Sequence, residues 1–215
     1  AQQEVLNSGG GIAGVLRISA PLSFGVTHMS SAIAQFMHAH PDVRIETDLS
    51  DKRVDLVAEG FDLAIRIGIL SDSSLIAKKI STVRNIPCAA PDFLARYPAI
   101  TKPEDLENAP ALVYSNEKTP NDWRYIAPNG KPGVLRVAAR LSASNGDVLR
   151  EAAIAGLGFT CLPNFLHYDA INSGLLQPVL TDYEWLQYDV HVVYPKTTIL
   201  PKRTRAFVDF MSTRY

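Results

Sequence analysis

No run of apolar residues in this sequence approaches the roughly 18–20 that a helix needs to cross a bilayer, which excludes a membrane-spanning helix. Cysteine is scarce. Cys88 and Cys161 are too few for a disulfide scaffold and too far apart in sequence for a metal-binding pair, and such usage points to a reducing cytoplasm. Positive charge is not in excess either, with 21 Lys and Arg against 22 Asp and Glu and an isoelectric point near 6.6. A surface that neutralises nucleic-acid phosphates needs such an excess, so DNA contact by these residues is not expected. The stretch AQQEVLNSGGGIAG has neither the basic start nor the apolar segment of a secretory leader.

Catalytic patterns are missing too. There is no G-x-S-x-G elbow, no phosphate-binding loop and no zinc-ligand spacing. His38 and His40 stand two apart in a helical segment and diverge, which speaks against a shared metal. His28, His167 and His191 have no companion acid or thiol at a recognisable spacing and read as core or surface histidines. Cys161 lies in the apolar run FTCL, and an inert thiol is the reading for it and for Cys88. No catalytic residue, metal or cofactor is therefore expected. Gly9, Gly11 and Gly14 satisfy G-x-G-x-x-G but precede a strand instead of following one, so a dinucleotide site is rejected. Residues 1–13 read as a linker.

What the sequence does contain is organised around residues 14–68, which read as a βαβαβ unit. Val15, Leu16 and Ile18 form a strand stopped by Pro21. Ser23 stands where it can cap a helix carrying Val26, Met29, Ile33, Phe36 and Met37 and closed by Pro41. A strand over 43–49, a helical turn around Val54, Leu56 and Val57 ended by Gly60, and a strand over 63–67 follow. Right-handed crossovers then demand a parallel sheet, whose ligands sit beyond the strands' carboxyl ends, here 20–23, 50–51 and 66–68.

The chain continues with a polar turn at 71–74, a strand pattern from 75 to 90, a short helix around Phe93 and a capping box of Thr101 with Glu104. A strand over 111–114 comes next. Residues 123–126 and 134–141 flank PNGKPG and predict one antiparallel hairpin. Ser144 with Asp147 signals the start of a helix ended by Gly156 and Gly158. FTCL predicts a strand stopped by Pro163, and 164–171 a helix. Short strands over 175–180 and 188–194 and a helix over 202–211 complete the chain.

The runs LRISAPLSFG, FDLAIRIG and NGDVLREAAIAGLGFTCLP, in that order, resemble the effector-binding domain of LysR-type transcriptional regulators, over residues 14–212. The resemblance implies an α/β fold of two Rossmann-like lobes joined by crossover strands, like type II periplasmic binding proteins. Lobe I would comprise 14–85 with 187–215, and lobe II 86–186. It also implies a winged helix-turn-helix upstream of this chain that contacts DNA, and pairing into a homodimer or homotetramer. The segment 26–39, with Ala32, Ala34, Phe36 and Ala39 around its surface, suits burial against such a partner. A small-molecule effector would sit between the lobes at the loops carrying Pro21, Leu22, Ser23, Phe24, Ser50, Arg66 and Gly68, and Ser115, Asn116, Asn145, Gly146 and Pro163. A free-standing solute-binding protein for transport shares the fold and is the competing reading.

The residue types suit an anionic or strongly hydrogen-bonding effector. Helix starts near Ser23 and Asn145 present unpaired amides with partial positive charge. Gly25 and Gly146 would let a ligand approach the backbone. The plain alternative is that the serines Ser23 and Ser144 only cap their helices. Arg66, in an apolar strand, either meets an anionic ligand or pairs with Asp51 or Asp62, and both readings stand.

Overall fold

The computed structural model describes residues 11–52, 54–68, 70 and 74–215. Most of the linker (1–10) and most of the polar turn (71–73) lie outside the described residues. The chain forms two compact units, one running to Ser81 and resuming over Asp189–Tyr215, the other Thr82–Tyr188.

The first unit opens with β1 (Gly14–Ala20), in which Leu16 and Ile18 point into the core while Arg17 turns the other way to Glu46 at 3.2 Å. This alternation fixes the register of the strand. α1 (Leu22–Phe24), a π-helical turn (Gly25–Met29) and α2 (Ser30–Ala39) follow without interruption. β2 (Val43–Leu49) pairs parallel with β1 along its whole length, and β3 (Leu63–Ile67) pairs parallel on the other side.

One expectation fails here. The π turn inserts a residue into the helical repeat, so Gly25, Met29, Ala32 and Phe36 are buried, while Val26 and Met37 face out. The segment around Val54 to Gly60 is a single turn, in which the Glu59 amide donates to the Asp55 carbonyl at 3.0 Å, and Gly60 at φ +71° closes it.

β4 (Leu75–Ala89) carries the chain into the second unit as one continuous strand. That unit contains α3 (Pro91–Leu94), a 3-10 turn (Pro103–Leu106), β5 (Ala111–Tyr114), β6 (Asp122–Ile126), β7 (Pro132–Arg136), β8 (Ala139–Ala143), α4 (Gly146–Ile154), β9 (Phe159–Pro163), α5 (Asn164–Asn172), β10 (Gln177–Pro178) and β11 (Glu184–Trp185). Its main sheet runs β4-β9-β5-β8, with β10 on β4, and β11-β6-β7 form a second, antiparallel sheet. Each face of the main sheet has its own core. Phe93, Leu106, Phe159 and Trp185 fill one, and Leu112, Leu149, Leu162 and Leu166 lie with α4 and α5 in the other. Gly158 lets the chain pass Pro110: a Cβ there would stand 2.4 Å from the Pro110 carbonyl oxygen.

The expected hairpin is two structures. β7 pairs with β6, but at Val137 and Ala138 the chain changes partner, and β8 runs parallel to β5. Alternating apolar residues continue across the switch, so periodicity cannot register it. Near residue 104 the cap is Asp105, whose carboxylate accepts from the Thr101 amide (2.8 Å) and the Lys102 amide (3.0 Å). The strand expected over 175–180 shrinks to the two residues of β10, and Leu180 takes φ +53°.

β12 (Gln187–Pro195) returns the chain to the first unit, where it pairs antiparallel with β3, and α6 (Lys202–Arg214) packs Thr204, Phe207, Val208 and Met211 inward. Phe207 meets Phe36 of α2 edge to face at 5.0 Å between ring centroids. Arg214 reaches Ser31 and Gln35, and the Tyr215 hydroxyl donates to the His28 carbonyl at 2.9 Å.

Candidate functional site

In the first unit, the carboxyl ends of β1, β2 and β3 bring together Pro21, Leu22, Ser23 and Phe24 with Ser50, Arg66 and Gly68. The Ser50 amide donates to the Ala20 carbonyl at 2.9 Å, and the Leu22 amide donates to Asp51 Oδ1 at 3.1 Å. The side chain holding the first helical turn is therefore Asp51, from the neighbouring loop, and not Ser23. Ser23 is the second residue of α1 and buried. Leu22 is exposed, and Phe24 is buried against His28, with stacked rings 4.8 Å apart. Burial lowers the pKa of His28, so its ring favours the neutral form. Gly25 does not leave room for a ligand. The place of its missing Cβ is occupied by the side chain of Leu49.

Arg66 Nη1 donates to the Ser19 hydroxyl at 3.4 Å and to the Ile65 carbonyl at 3.2 Å. Of the two carboxylates considered for it, Asp62 accepts the Arg17 amide at 2.8 Å and lies 3.6 Å from Arg203, while Asp51 takes the Leu22 amide. Gly68 has φ +114°, a backbone that strongly favours glycine, and its amide donates to the Asp189 carbonyl at 3.1 Å.

In the second unit, the ends of β5, β8 and β9 gather Ser115, Asn116, Asn145, Gly146 and Pro163. The Ser115 amide donates to the Ala143 carbonyl at 2.9 Å. Asn116 Nδ2 donates to the Tyr114 hydroxyl and the Ser144 carbonyl, both at 3.1 Å, which ties the two loops together. Asn145, not Ser144, is the N-cap of α4. Its Oδ1 accepts the amides of Asp147 (3.0 Å) and Val148 (3.3 Å). Gly146 packs on Leu166, whose Cδ1 would lie 2.5 Å from an added Cβ, so this glycine serves helix packing and not ligand approach. Pro163 ends β9 and opens α5. Replacing Asn145 by Ala is expected to cost about 1 kcal/mol through the lost cap, a decrease that urea denaturation would register.

Next to these loops stand side chains that the sequence offered no way to find. Tyr188 donates its hydroxyl to Glu117 at 2.9 Å, and burial together with the Glu117 charge raises its pKa. His191 lies directly across from Arg66 in the β12–β3 pairing. The first joins a loop residue to β12 and the second follows from strand register, and no local pattern encodes either.

The thiols are unreactive by environment. Burial pushes Cys88 up to about 12 and also raises Cys161 well above the usual thiol range. Cys88 pairs with Thr160 and Cys161 with Pro87, so the two sulfurs project to opposite faces of the sheet. Among the described residues no group of three or more His, Cys, Asp or Glu could hold a metal ion. A shallow cavity of ≈ 280 Å³ lies between the 3-10 turn and β6–β7, lined by Glu104, Glu107, Tyr125 and Arg136 among others, and it includes none of the candidate residues.

A family model described as the LysR substrate binding domain matches residues 9–215. An uncharacterized HTH-type transcriptional regulator of Haemophilus influenzae is 35% identical over 190 residues, covering 88% of this chain and 66% of its own length. The HTH-type transcriptional regulator PtxR of Pseudomonas aeruginosa is 32% identical over 209 residues, 97% of this chain and 67% of its own. This chain thus spans about two thirds of the length of these relatives. Among solved structures, full-length AphB, a virulence activator of Vibrio cholerae, superposes with a TM-score of 0.83 at 31% identity, covering 95% of this chain and 69% of that one. The regulatory domain of CrgA from Neisseria meningitidis gives 0.82 at 26% identity, covering 94% and 98%.

Proposed function

Because this chain belongs to the family of LysR substrate-binding domains of transcriptional regulators, we propose that it senses a small anionic effector through the two clusters of strand ends. The family, with its type II periplasmic-binding-protein-like fold, places the chain with regulators and not with transport proteins. Its relatives are regulators, which are not enzymes. The observation that carries the proposal is Arg66. It is a half-buried guanidinium beside the carboxyl ends of three strands, where open α/β sheets take their ligands.

In this reading Pro21–Phe24, Ser50, Arg66 and Gly68 are the recognition residues of the first unit, and Ser115, Asn116, Asn145, Gly146 and Pro163 those of the second. β4 and β12, the strands in which the chain passes between units, act as the hinge. An effector with different affinity for two arrangements of the units shifts their balance. The change is passed to a DNA-binding segment of the full-length regulator, the part of the relatives that this chain does not span. The exposed apolar residues Val26 and Met37 support self-association into a homodimer or homotetramer. No described helix is long and apolar enough to cross a membrane, and a cytoplasmic setting fits a regulator of this family.

Thermal unfolding across small carboxylates, aromatic acids and amino acids tests the reading. A true effector at 100-fold its Kd stabilises the protein by about 2.7 kcal/mol, and Arg66→Gln is expected to remove most of that gain. A specific ligand bound equally well by Arg66→Gln and Asn145→Ala would place the site elsewhere.

A further inference from the structure

His191 received no role from its sequence context, yet its position is specific. The β12–β3 pairing sets His191 directly opposite Arg66, and the next pairs inward are Val192 with Ile65 and Val193 with Ala64. Residues directly opposite in an antiparallel pair project to the same face, with Cβ atoms about 4.5–5.5 Å apart. Ser19, fully buried in β1, receives the Arg66 guanidinium on that face. Three polar side chains thus form a row across β1, β3 and β12. Farther down the same face, Ala64 and Val193 pack with Leu56 in an apolar cluster.

Within this row His191 departs from the rule that buried polar atoms are satisfied. His191 Nδ1 is buried and has no hydrogen-bond partner among the described residues. A purely structural position would favour an apolar residue, as at Val190, Val192 and Val193, which flank it in the same strand and are all buried. An imidazole nitrogen left unpaired beside a cation, one residue from the end of β3, is arranged as a recognition group is.

We infer that His191 is a second recognition residue for the effector's acid group, with His191 and Arg66 engaging one carboxylate together. Arg66 supplies charge. His191 supplies a directional hydrogen bond from Nδ1–H, in the tautomer that carries the proton there. This deepens the reading of Arg66 given above and rests on it. The pair selects a carboxylate over its uncharged amide, because an amide oxygen gains less from the guanidinium and an amide NH2 would face donors.

The test uses matched acid and amide probes, succinate with succinamide and benzoate with benzamide, titrated calorimetrically into the wild-type domain, His191→Leu, His191→Asn and Arg66→Gln. The expected result is an acid that binds the wild type with its amide bound at least tenfold more weakly. His191→Leu would lose roughly 10- to 100-fold in affinity for that acid, as removal of a hydrogen bond to a charged group does. His191→Asn, which keeps a donor near Nδ1, would regain much of it. The unliganded unfolding midpoint of His191→Leu is expected to equal or exceed that of the wild type, a result that a structural role for the imidazole would not give. An acid whose binding falls in Arg66→Gln but not in His191→Leu overturns the inference and leaves the Arg66 reading intact. No acid bound by the wild type overturns both.

Discussion

Replacing Phe207 by Ala is expected to lower the stability of the first unit by about 3–5 kcal/mol, the usual cost of emptying a buried aromatic site. Phe207 is fully buried, and its ring packs edge to face on Phe36, itself 1% exposed. The pair joins α6, from the end of the chain, to α2, which leads back to the Pro21–Phe24 loop. The cavity would therefore loosen the support of that loop along with the core. Phe210, only half-buried and 5.6 Å from Phe36 between centroids, is the matched control, and Phe210→Ala should cost clearly less. Urea unfolding followed by two probes makes the test local. Trp123 and Trp185, the two tryptophans of the chain, both lie in the second unit, so their fluorescence reports that unit while far-UV circular dichroism reports both. A drop in the circular-dichroism midpoint ahead of the fluorescence midpoint would show the first unit failing alone. A loss below about 1 kcal/mol would mean that the α2–α6 contact is not part of its core.

Strands were the legible part of this fold because their signals are local. β2, β3 and β5 begin and end where apolar runs meet proline, glycine or polar residues, and each occupies the span that its residues predict. Helix registers and caps were less legible. The π turn at Gly25–Met29 is invisible to a 3.6-residue period, which assigned Val26 and Met37 to the core they face away from. Ser23, Ser144 and Thr101 with Glu104 were sound capping candidates by type, yet the caps are Asp51, Asn145 and Asp105, and Asp51 comes from a loop 29 residues away. The candidate site was readable as a set of strand ends, since β1–β2–β3 topology follows from the chain order. Its neighbours were not, since Tyr188 meets Glu117 across 71 residues of sequence and His191 stands opposite Arg66 through strand pairing, and no local pattern encodes either.

Acidification from pH 6.5 to 4 is expected to remove roughly 3 kcal/mol of stability through His167 alone. This residue of α5 is fully buried, and neither ring nitrogen has a hydrogen-bond partner among the described residues. Burial, with a smaller contribution from the Arg150 cation, pushes its pKa down from 6.5 to about 4. Arg150 is held in place by Asp147 at 2.7 Å and the Leu166 carbonyl at 3.3 Å, so it cannot swing away to admit a second positive charge cheaply. The sign follows from proton counting. Between these two pH values the unfolded chain binds a proton at this histidine and the folded chain does not, so unfolding takes up a proton and stability falls as the pH falls. Above about pH 7.5, a unit beyond the unfolded pKa, both states are neutral and the histidine contributes almost no slope. Carboxylates titrate in the same window, so the informative quantity is the difference between the wild type and His167→Leu. Urea midpoints from pH 7 to pH 4 should converge downward for the wild type and flatten for the variant, which at pH 7 should be at least as stable because two unsatisfied nitrogens are gone. Equal pH slopes in the two proteins would show that His167 finds solvent or a partner on protonation, and that α5 opens more readily than its burial implies.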